Sequence, residues 1–388
     1  MKSELEILTR GVSEVIDVAH LEEKLRSGKK LRVKLGVDPT SPNIHIGRAV
    51  VLWKLREFQD LGHTAVLIVG DFTGQIGDTS DKDAERPMLS EDEVKKNMKS
   101  YFQQAFKILD KRKTETKYNS TWLKKLGFME IGRIADLFGL HEFASRELIK
   151  KRIDAGKRVS LRELLYPLMQ GYDSVAVRAD VELGGTDQRF NMLAGRTIQP
   201  AYGQQPQDIL ITKFPLTGTD GRKMSSSWGN VINITDAPGD IFGKVMSITD
   251  ALIPEYLEMA ARLPQAEIDV LLTQMKNGAN PREIKSRLAY EVVALYHGTE
   301  EARKAQIEFD RVFSTGALPE EIPEHPGAGM TVIDFMTAYQ FASSKGEAKR
   351  LVDQKAVKIN EAPVTSWEVQ LKTGDIIQVG PRKFGRVR

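Results

Sequence analysis

Leu31-Arg32-Val33-Lys34-Leu35-Gly36-Val37-Asp38-Pro39-Thr40-Ser41-Pro42-Asn43-Ile44-His45-Ile46-Gly47-Arg48 is the stretch on which the fold turns. Its first seven residues alternate, which places Val33, Leu35 and Val37 on one face of a strand. Asp38 to Asn43 is too rich in turn formers to continue a sheet. Between Ala49 and Leu61, apolar residues at 51, 52, 55 and 58 trace a helical stripe, and Ala65-Val66-Leu67-Ile68-Val69 is a continuous apolar run suited to a strand covered on both faces. Strand, turn, helix and strand in that order imply a parallel sheet with a right-handed crossover. Sheets of this kind take ligands beyond the carboxyl ends of their strands, so chemistry is expected in the turns after Val37 and Val69.

Further along, the pattern changes. From about 236 to 317 it is helical, punctuated by Pro254 and Pro264, with apolar residues at 284, 288, 292 and 295. A Pro/Gly-rich segment at 318–329 reads as a linker. Beyond it a small unit begins, in which Ser344 and Glu347 have the spacing of a capping box ahead of a helix Glu347–Gln354. Short strands are expected at Ala356–Asn360 and Asp375–Val379. With 388 residues the chain exceeds one ordinary core. The expected division is therefore 1–235, 236–317, a linker at 318–329, and 330–388.

The net charge is only +3, but Met330–Arg388 holds ten Lys/Arg against six Asp/Glu, so the cationic excess sits at the end of the chain. There is no cysteine, which excludes disulfides, thiolate zinc sites and thiol nucleophiles and suits a reducing cytoplasm. The opening Met1-Lys2-Ser3-Glu4-Leu5-Glu6 mixes charge with apolar residues and has no signal-peptide core, and no apolar run approaches a membrane span. A cytoplasmic protein without a membrane partner is expected.

His45 and Gly47 lie where a turn enters a helix. Helix N-termini attract anions such as a triphosphate, imidazole can hydrogen-bond phosphate oxygens, and glycine lets a nucleotide approach the backbone. Neither G-x-G-x-x-G nor a Walker A loop is present, so any nucleotide is held differently. Gly221-Arg222-Lys223-Met224-Ser225-Ser226-Ser227 is cationic, hydroxyl-rich and follows the α/β region. Such a loop could close on pyrophosphate, with Lys223 stabilising charge that develops at the α-phosphate. Tyr166, Gln170 and Asp173 stand at i, i+4 and i+7, on one helix face.

Taken together, His45-Ile46-Gly47-Arg48 and Lys223-Met224-Ser225-Ser226-Ser227 resemble the HIGH and KMSKS signatures of class I aminoacyl-tRNA synthetases. Gly36-Val37-Asp38-Pro39-Thr40, Gly70-Asp71-Phe72-Thr73-Gly74, Tyr166 to Asp173 and Gly184-Gly185-Thr186-Asp187-Gln188 resemble the bacterial-type tyrosyl branch of that family, from about residue 30 to the end of the chain. The resemblance implies a Rossmann-like parallel-sheet catalytic domain, an α-helical anticodon-side domain and a small α+β RNA-binding domain. It also implies tyrosine activation by ATP, brought as its Mg2+ complex, followed by transfer to tRNA(Tyr). It implies a homodimer and no metal bound by the protein itself. His45, Arg48 and Lys223 would carry the catalysis. His45, Gly47, Gly185, Asp187, Gln188, Lys223, Ser226 and Ser227 would contact ATP. Asp78, Tyr166 and Gln170 would hold the tyrosine ammonium, Thr73 would line the pocket, Asp173 would accept from the phenol, and Asp38 and Gln188 would flank the aminoacyl group. Lys82 and Arg86 would bear on the tRNA acceptor end, and Lys345, Lys349, Arg350, Lys355 and Lys358 on RNA phosphates.

Three positions depart from the commonest pattern. Arg48 stands for the last histidine of HIGH, Ser226 for the second lysine of KMSKS, and Lys34 where one bacterial branch places a tyrosine against the substrate phenol. Two other readings use the same scaffold: a tryptophan enzyme, and a catalytically weakened relative that only binds RNA.

Overall fold

The computed structural model describes residues 4–79, 88–213, 216–315, 322–380 and 383–388, without the side chains at 227 and 313–315. It divides into two compact units, 1–302 and 303–388.

The first unit is built on a six-stranded sheet. Its strands are β1 (Val12–Ile16), β2 (Arg32–Val37), β3 (Thr64–Val69), β4 (Thr114–Tyr118), β5 (Val181–Gly185) and β6 (Asp208–Thr212), in the order β1-β6-β5-β2-β3-β4. All neighbours are parallel except β1, which pairs antiparallel with β6 along one edge. The apolar run Ala65–Val69 is wholly buried in β3, as a strand covered on both faces must be. Helix α1 (Ile46–Asp60) crosses from β2 to β3 and begins three residues earlier than its apolar stripe indicated, because His45 caps it. All four residues of the expected stripe, Val51, Leu52, Leu55 and Phe58, are buried.

Two further helices complete the frame of the cavity. They are α2 (Leu161–Val177), which opens with a capping box between Ser160 and Glu163, and α3 (Arg189–Ala201), which packs against it. Glu163 is fully buried with Arg152, whose guanidinium meets both carboxylate oxygens at 2.5 and 3.0 Å. Desolvation alone would raise the Glu163 carboxyl, but hydrogen bonds from Arg152, the Ser160 backbone and Thr79 overcome it and bring it down to about 2. Thr79 follows Asp78, so this pair braces a cavity residue. Arg152→Met leaves the Glu163 charge without its counter-ion, and denaturant unfolding should show a loss of about 3–5 kcal/mol. A variant with wild-type stability would mean that the pair contributes nothing net.

The remaining helices of this unit include Pro238–Met246, Ile253–Met259, Gln265–Lys276 and Pro281–His297. Pro254 and Pro281 lie in the first turns of their helices and Pro264 just before one, positions that need no intrahelical N–H.

In the second unit, strands Glu324–His325, Val357–Ile359, Ala362–Pro363, Ile376–Val379 and Lys383–Val387 form a five-stranded sheet. It packs on a core that includes Val332, Phe335, Met336, Ala348 and Val352. The helix expected at Glu347–Gln354 runs Lys345–Asp353. Ser344 caps it by accepting from the Glu347 N–H, but the Glu347 carboxylate reaches Ser343 instead of closing the box on Ser344. Ser343 offers both a backbone N–H and a hydroxyl, two donors for one carboxylate oxygen. Among the described residues no helix is long and apolar enough to cross a membrane.

Candidate active site

β2, β3 and β5 run out at their carboxyl ends into one cavity of about 550 Å3. Its wall contains Asp38, Thr40, His45, Arg48, Thr73, Asp78, Tyr166, Gln170, Asp173, Gly185, Asp187, Gln188, Lys223 and Ser226. His45 and Lys223, separated by 178 positions in sequence, share this wall, and the Lys223 charge bears on the imidazole.

One end of the cavity is acidic and tightly hydrogen-bonded. The Asp38 carboxylate accepts from Thr73 Oγ1 at 2.7 Å and from the Tyr166 hydroxyl at 2.8 Å. Gly70 stands between them: a Cβ there would lie 2.0 Å from Asp38 Oδ1 and 2.2 Å from Thr73 Oγ1, so only glycine permits this crossing. Gln188 Nε2 donates to Asp78 at 2.7 Å, and Gln170 Nε2 donates to Glu182 at 3.0 Å. Asp173, 3% exposed, accepts from Trp122 Nε1 at 2.7 Å and from Asn119 Nδ2 at 3.2 Å. Burial pushes its carboxyl up to about 7, while the Lys34 charge and those two donors pull the other way. Asn119 also donates to Thr73 and accepts from the Phe72 N–H, tying the end of β4 to the turn after β3.

The other end holds the cations. His45 Nδ1 accepts from the Arg48 N–H at 3.3 Å, so a neutral ring keeps its proton on Nε2. Desolvation, with the charges of Arg48 and Lys223, lowers the imidazole to about 3. His45 is therefore a neutral N–H donor at physiological pH. This corrects the expectation of an open helix terminus: the Ile46 N–H is taken by the Ile232 carbonyl at 2.8 Å and the Arg48 N–H by His45. The side chains, more than bare amides, face a ligand here. Arg48 Nη2 donates to Thr40 Oγ1 at 3.0 Å, while Nη1 is buried with no hydrogen-bond partner among the described residues.

The loop carrying Lys223 is held in place by Asn230. Its Oδ1 accepts from the Ser225 N–H, and its Nδ2 donates to Asp220 and to the Lys223 carbonyl. Met224 is buried against α1, 3.4 Å from where a Cβ on Gly47 would stand, and Ser226 Oγ lies 3.4 Å from Ser41 Oγ. The two signature segments thus touch directly. Gly47 serves this packing: a Cβ there would also lie 3.0 Å from His45 Nδ1.

Lys34 does not face the cavity. It is fully buried, ion-paired with Glu182 at 2.9 Å, and donates to the Gln170 carbonyl and Ser174 Oγ, each at 2.8 Å. Lys82 and Arg86 lie outside the described residues, as does the Ser227 side chain. Lys345, Lys349, Arg350, Lys355 and Lys358 are all exposed, with Lys345 paired to Asp334 and Lys349 4.6 Å above the Trp367 ring.

Asn119, Trp122 and Asn230 escaped the sequence reading, as did Tyr101, which also lines the cavity. Asn119 and Trp122 find their partners about fifty residues away, whereas Asn230 acts within its own loop.

The family model "tRNA synthetases class I (W and Y)" matches residues 26–314, and the S4 domain model matches 332–377. A tyrosine–tRNA ligase of Dehalococcoides mccartyi is 46% identical over 386 residues, 98% of this chain and 97% of the relative. One from Thermotoga maritima is 44% identical over 391 residues, 100% and 97% of the two chains. Among solved structures, a C-terminally truncated Aspergillus nidulans mitochondrial tyrosyl-tRNA synthetase superposes with a TM-score of 0.68 at 23% identity, covering 81% of this chain and 95% of that one, a likeness of fold. A matched catalytic region, an S4 domain and full-length relatives at this identity leave one assignment: the chain belongs to the class I tRNA synthetases of the tryptophan and tyrosine group.

Proposed function

We infer that the chain is an aminoacyl-tRNA synthetase with the tyrosine–tRNA ligase activity for which its relatives are named. The observation that carries this reading is one cavity bearing a buried carboxylate with two fixed N–H donors at one end and His45, Arg48 and Lys223 at the other.

A tyrosine carboxylate oxygen attacks the α-phosphorus of Mg-ATP, the bond to pyrophosphate breaks, and tyrosyl-adenylate remains. A ribose hydroxyl at the 3′ end of tRNA(Tyr) then attacks the acyl carbon, and AMP leaves. Asp78, Tyr166 and Gln170 receive the ammonium, Asp173 the phenol, and Asp38, Thr73 and Gln188 line the space between. Gly185, Asp187 and Gln188 lie at the end of β5, where the ribose would rest. The His45 N–H and the Lys223 ammonium meet the phosphates, and the orphaned Arg48 Nη1 offers a further donor to ribose or phosphate oxygen. Catalysis comes from positioning and from charge placed in advance.

The S4 region supports an RNA-facing surface at Lys345, Lys349, Arg350, Lys355 and Lys358, and we extend this to Lys82 and Arg86. Residues 236–317 would serve as the anticodon-side helical domain after a catalytic domain 1–235, and the RNA-binding domain proposed for 330–388 takes in the strand Glu324–His325, which belongs to its sheet and shortens the expected 318–329 linker. Phe128, 92% exposed, together with exposed Met129, Leu140 and Leu161, supports a homodimer over a solvated monomer surface, and we place that dimer in the cytoplasm.

Tyrosine-dependent ATP–pyrophosphate exchange, set beside tryptophan-dependent exchange, is the test; RNA binding without either would overturn the reading. Its pH dependence carries a second expectation. Because the Asp173 carboxyl titrates near 7, an ionised acceptor is present above that pH and is lost as pH falls through it. KM for tyrosine should therefore rise on acidification from about pH 8 to about pH 6. KM for ATP should stay level through His45, which remains neutral across that range. A flat tyrosine profile would remove Asp173 from phenol recognition.

A further inference from the structure

Lys34 and Glu182 form a wholly buried ion pair on adjacent strands of the sheet, directly beneath α2. One of the groups around the pair, Gln170, lines the cavity. Glu182 Oε1 accepts from Gln170 Nε2 at 3.0 Å, and its Oε2 accepts from Ser174 Oγ at 3.2 Å and from Gln207 Nε2. Lys34 Nζ donates to the Gln170 carbonyl and to Ser174 Oγ. Residues 170 and 174 flank Asp173 on the same helix.

An ammonium can be recognised only by acceptors, so a glutamine that binds one must present its amide oxygen. With Nε2 engaged by Glu182, the Gln170 oxygen is the half of the amide left for the cavity. A bare buried glutamate would be costly at this depth, and Lys34 offsets its charge.

We propose that the Lys34–Glu182 pair is a positioning device for tyrosine: Glu182 fixes the Gln170 amide with its oxygen toward the ammonium, and Lys34 supplies the buried positive charge that keeps Asp173 an acceptor for the phenol. The proposal rests on reading the cavity as the tyrosine site. It gives position 34 a role exerted from behind the wall in place of a side chain against the substrate. The groups facing Asp173 are Lys34 on β2, Glu182 on β5 and Tyr166 on α2, with the neutral donors Trp122 and Asn119 after β4. Among these, the attraction of Lys34 outweighs the repulsion of Glu182.

The test is the double variant Lys34→Met/Glu182→Gln, which removes both charges and keeps similar shapes, assayed by ATP–pyrophosphate exchange. KM for tyrosine should rise about 10-fold or more, with KM for ATP unchanged. The pH at which tyrosine affinity recovers should move upward, because the net effect of the pair on Asp173 is to hold its proton off. A general packing defect would not move that pH. Should that double variant fail to fold, Lys34→Gln/Glu182→Gln, which also removes both charges together, should show the same rise in KM for tyrosine. An unchanged tyrosine KM and pH profile in a folded variant overturns the proposal while leaving the tyrosine reading intact. Absence of tyrosine-dependent exchange in the unaltered protein overturns both.

Discussion

Lys223→Ala is expected to slow tyrosine-dependent ATP–pyrophosphate exchange about 10²–10³-fold, the effect of losing one donor to charge that grows in a transition state. Only Arg48 and Lys223 are permanent cations in the described cavity wall, which also carries the carboxylates of Asp38, Asp78, Asp173 and Asp187. Removing one of two cations from so acidic a site leaves the triphosphate poorly balanced. With Ser226 at the position of the second lysine in the KMSKS pattern, this loop puts no further cation in the described wall to take over. Because Lys223 sits at the end of the cavity away from Asp173, tyrosine binding itself should survive, and the loss should fall on kcat. An exchange rate equal to that of the unaltered protein would remove Lys223 from the mechanism.

Asp173→Asn should lower kcat/KM for tyrosine by about 10²–10³-fold while barely changing the small activity with phenylalanine. The carboxylate is the acceptor toward which Trp122 and Asn119 are aimed, and an amide in its place turns a donor toward one of them or toward the phenol. Sites that hydrogen-bond a substrate hydroxyl reject the analogue lacking it by roughly 10⁵-fold, a figure already established for tyrosyl-tRNA synthetases and borrowed from them for this chain. The competing-substrate ratio in exchange assays measures the effect. A ratio left intact by the substitution would mean that another group reads the ring.

The core of the sheet and its chemistry were legible because they are local. The alternation at 31–37, the turn formers at 38–43 and the apolar run at 65–69 each fit one kind of element, and β2, α1 and β3 follow. Helical spacing likewise brought Tyr166, Gln170 and Asp173 to one wall. Edge strand β1 went unseen, since Val12-Ser13-Glu14-Val15-Ile16 is short and half-exposed, and its pairing with β6 spans nearly two hundred residues. Trp122 and Asn119 were missed because nothing in their neighbours shows where their hydrogen bonds go, and Asn230 because its bonds to Asp220, Lys223 and Ser225 follow an irregular loop with no periodic pattern. The reading of His45 as a residue beside free amides failed for a related reason: Ile232, which takes the Ile46 N–H, comes from a distant segment. Lys34 shows the limit of resemblance. A template located the position, but only tertiary packing revealed that its side chain points into the sheet and meets Glu182.

Every side chain of the cavity wall belongs to residues 35–226, within the first compact unit, whereas the five exposed cations assigned to RNA belong to the second. On the proposed roles, amino-acid choice lies in the first unit, while the tail carries the nucleic-acid contacts beyond those of Lys82 and Arg86. Mutational drift in the tail would then follow a changing RNA partner without disturbing fidelity toward the amino acid.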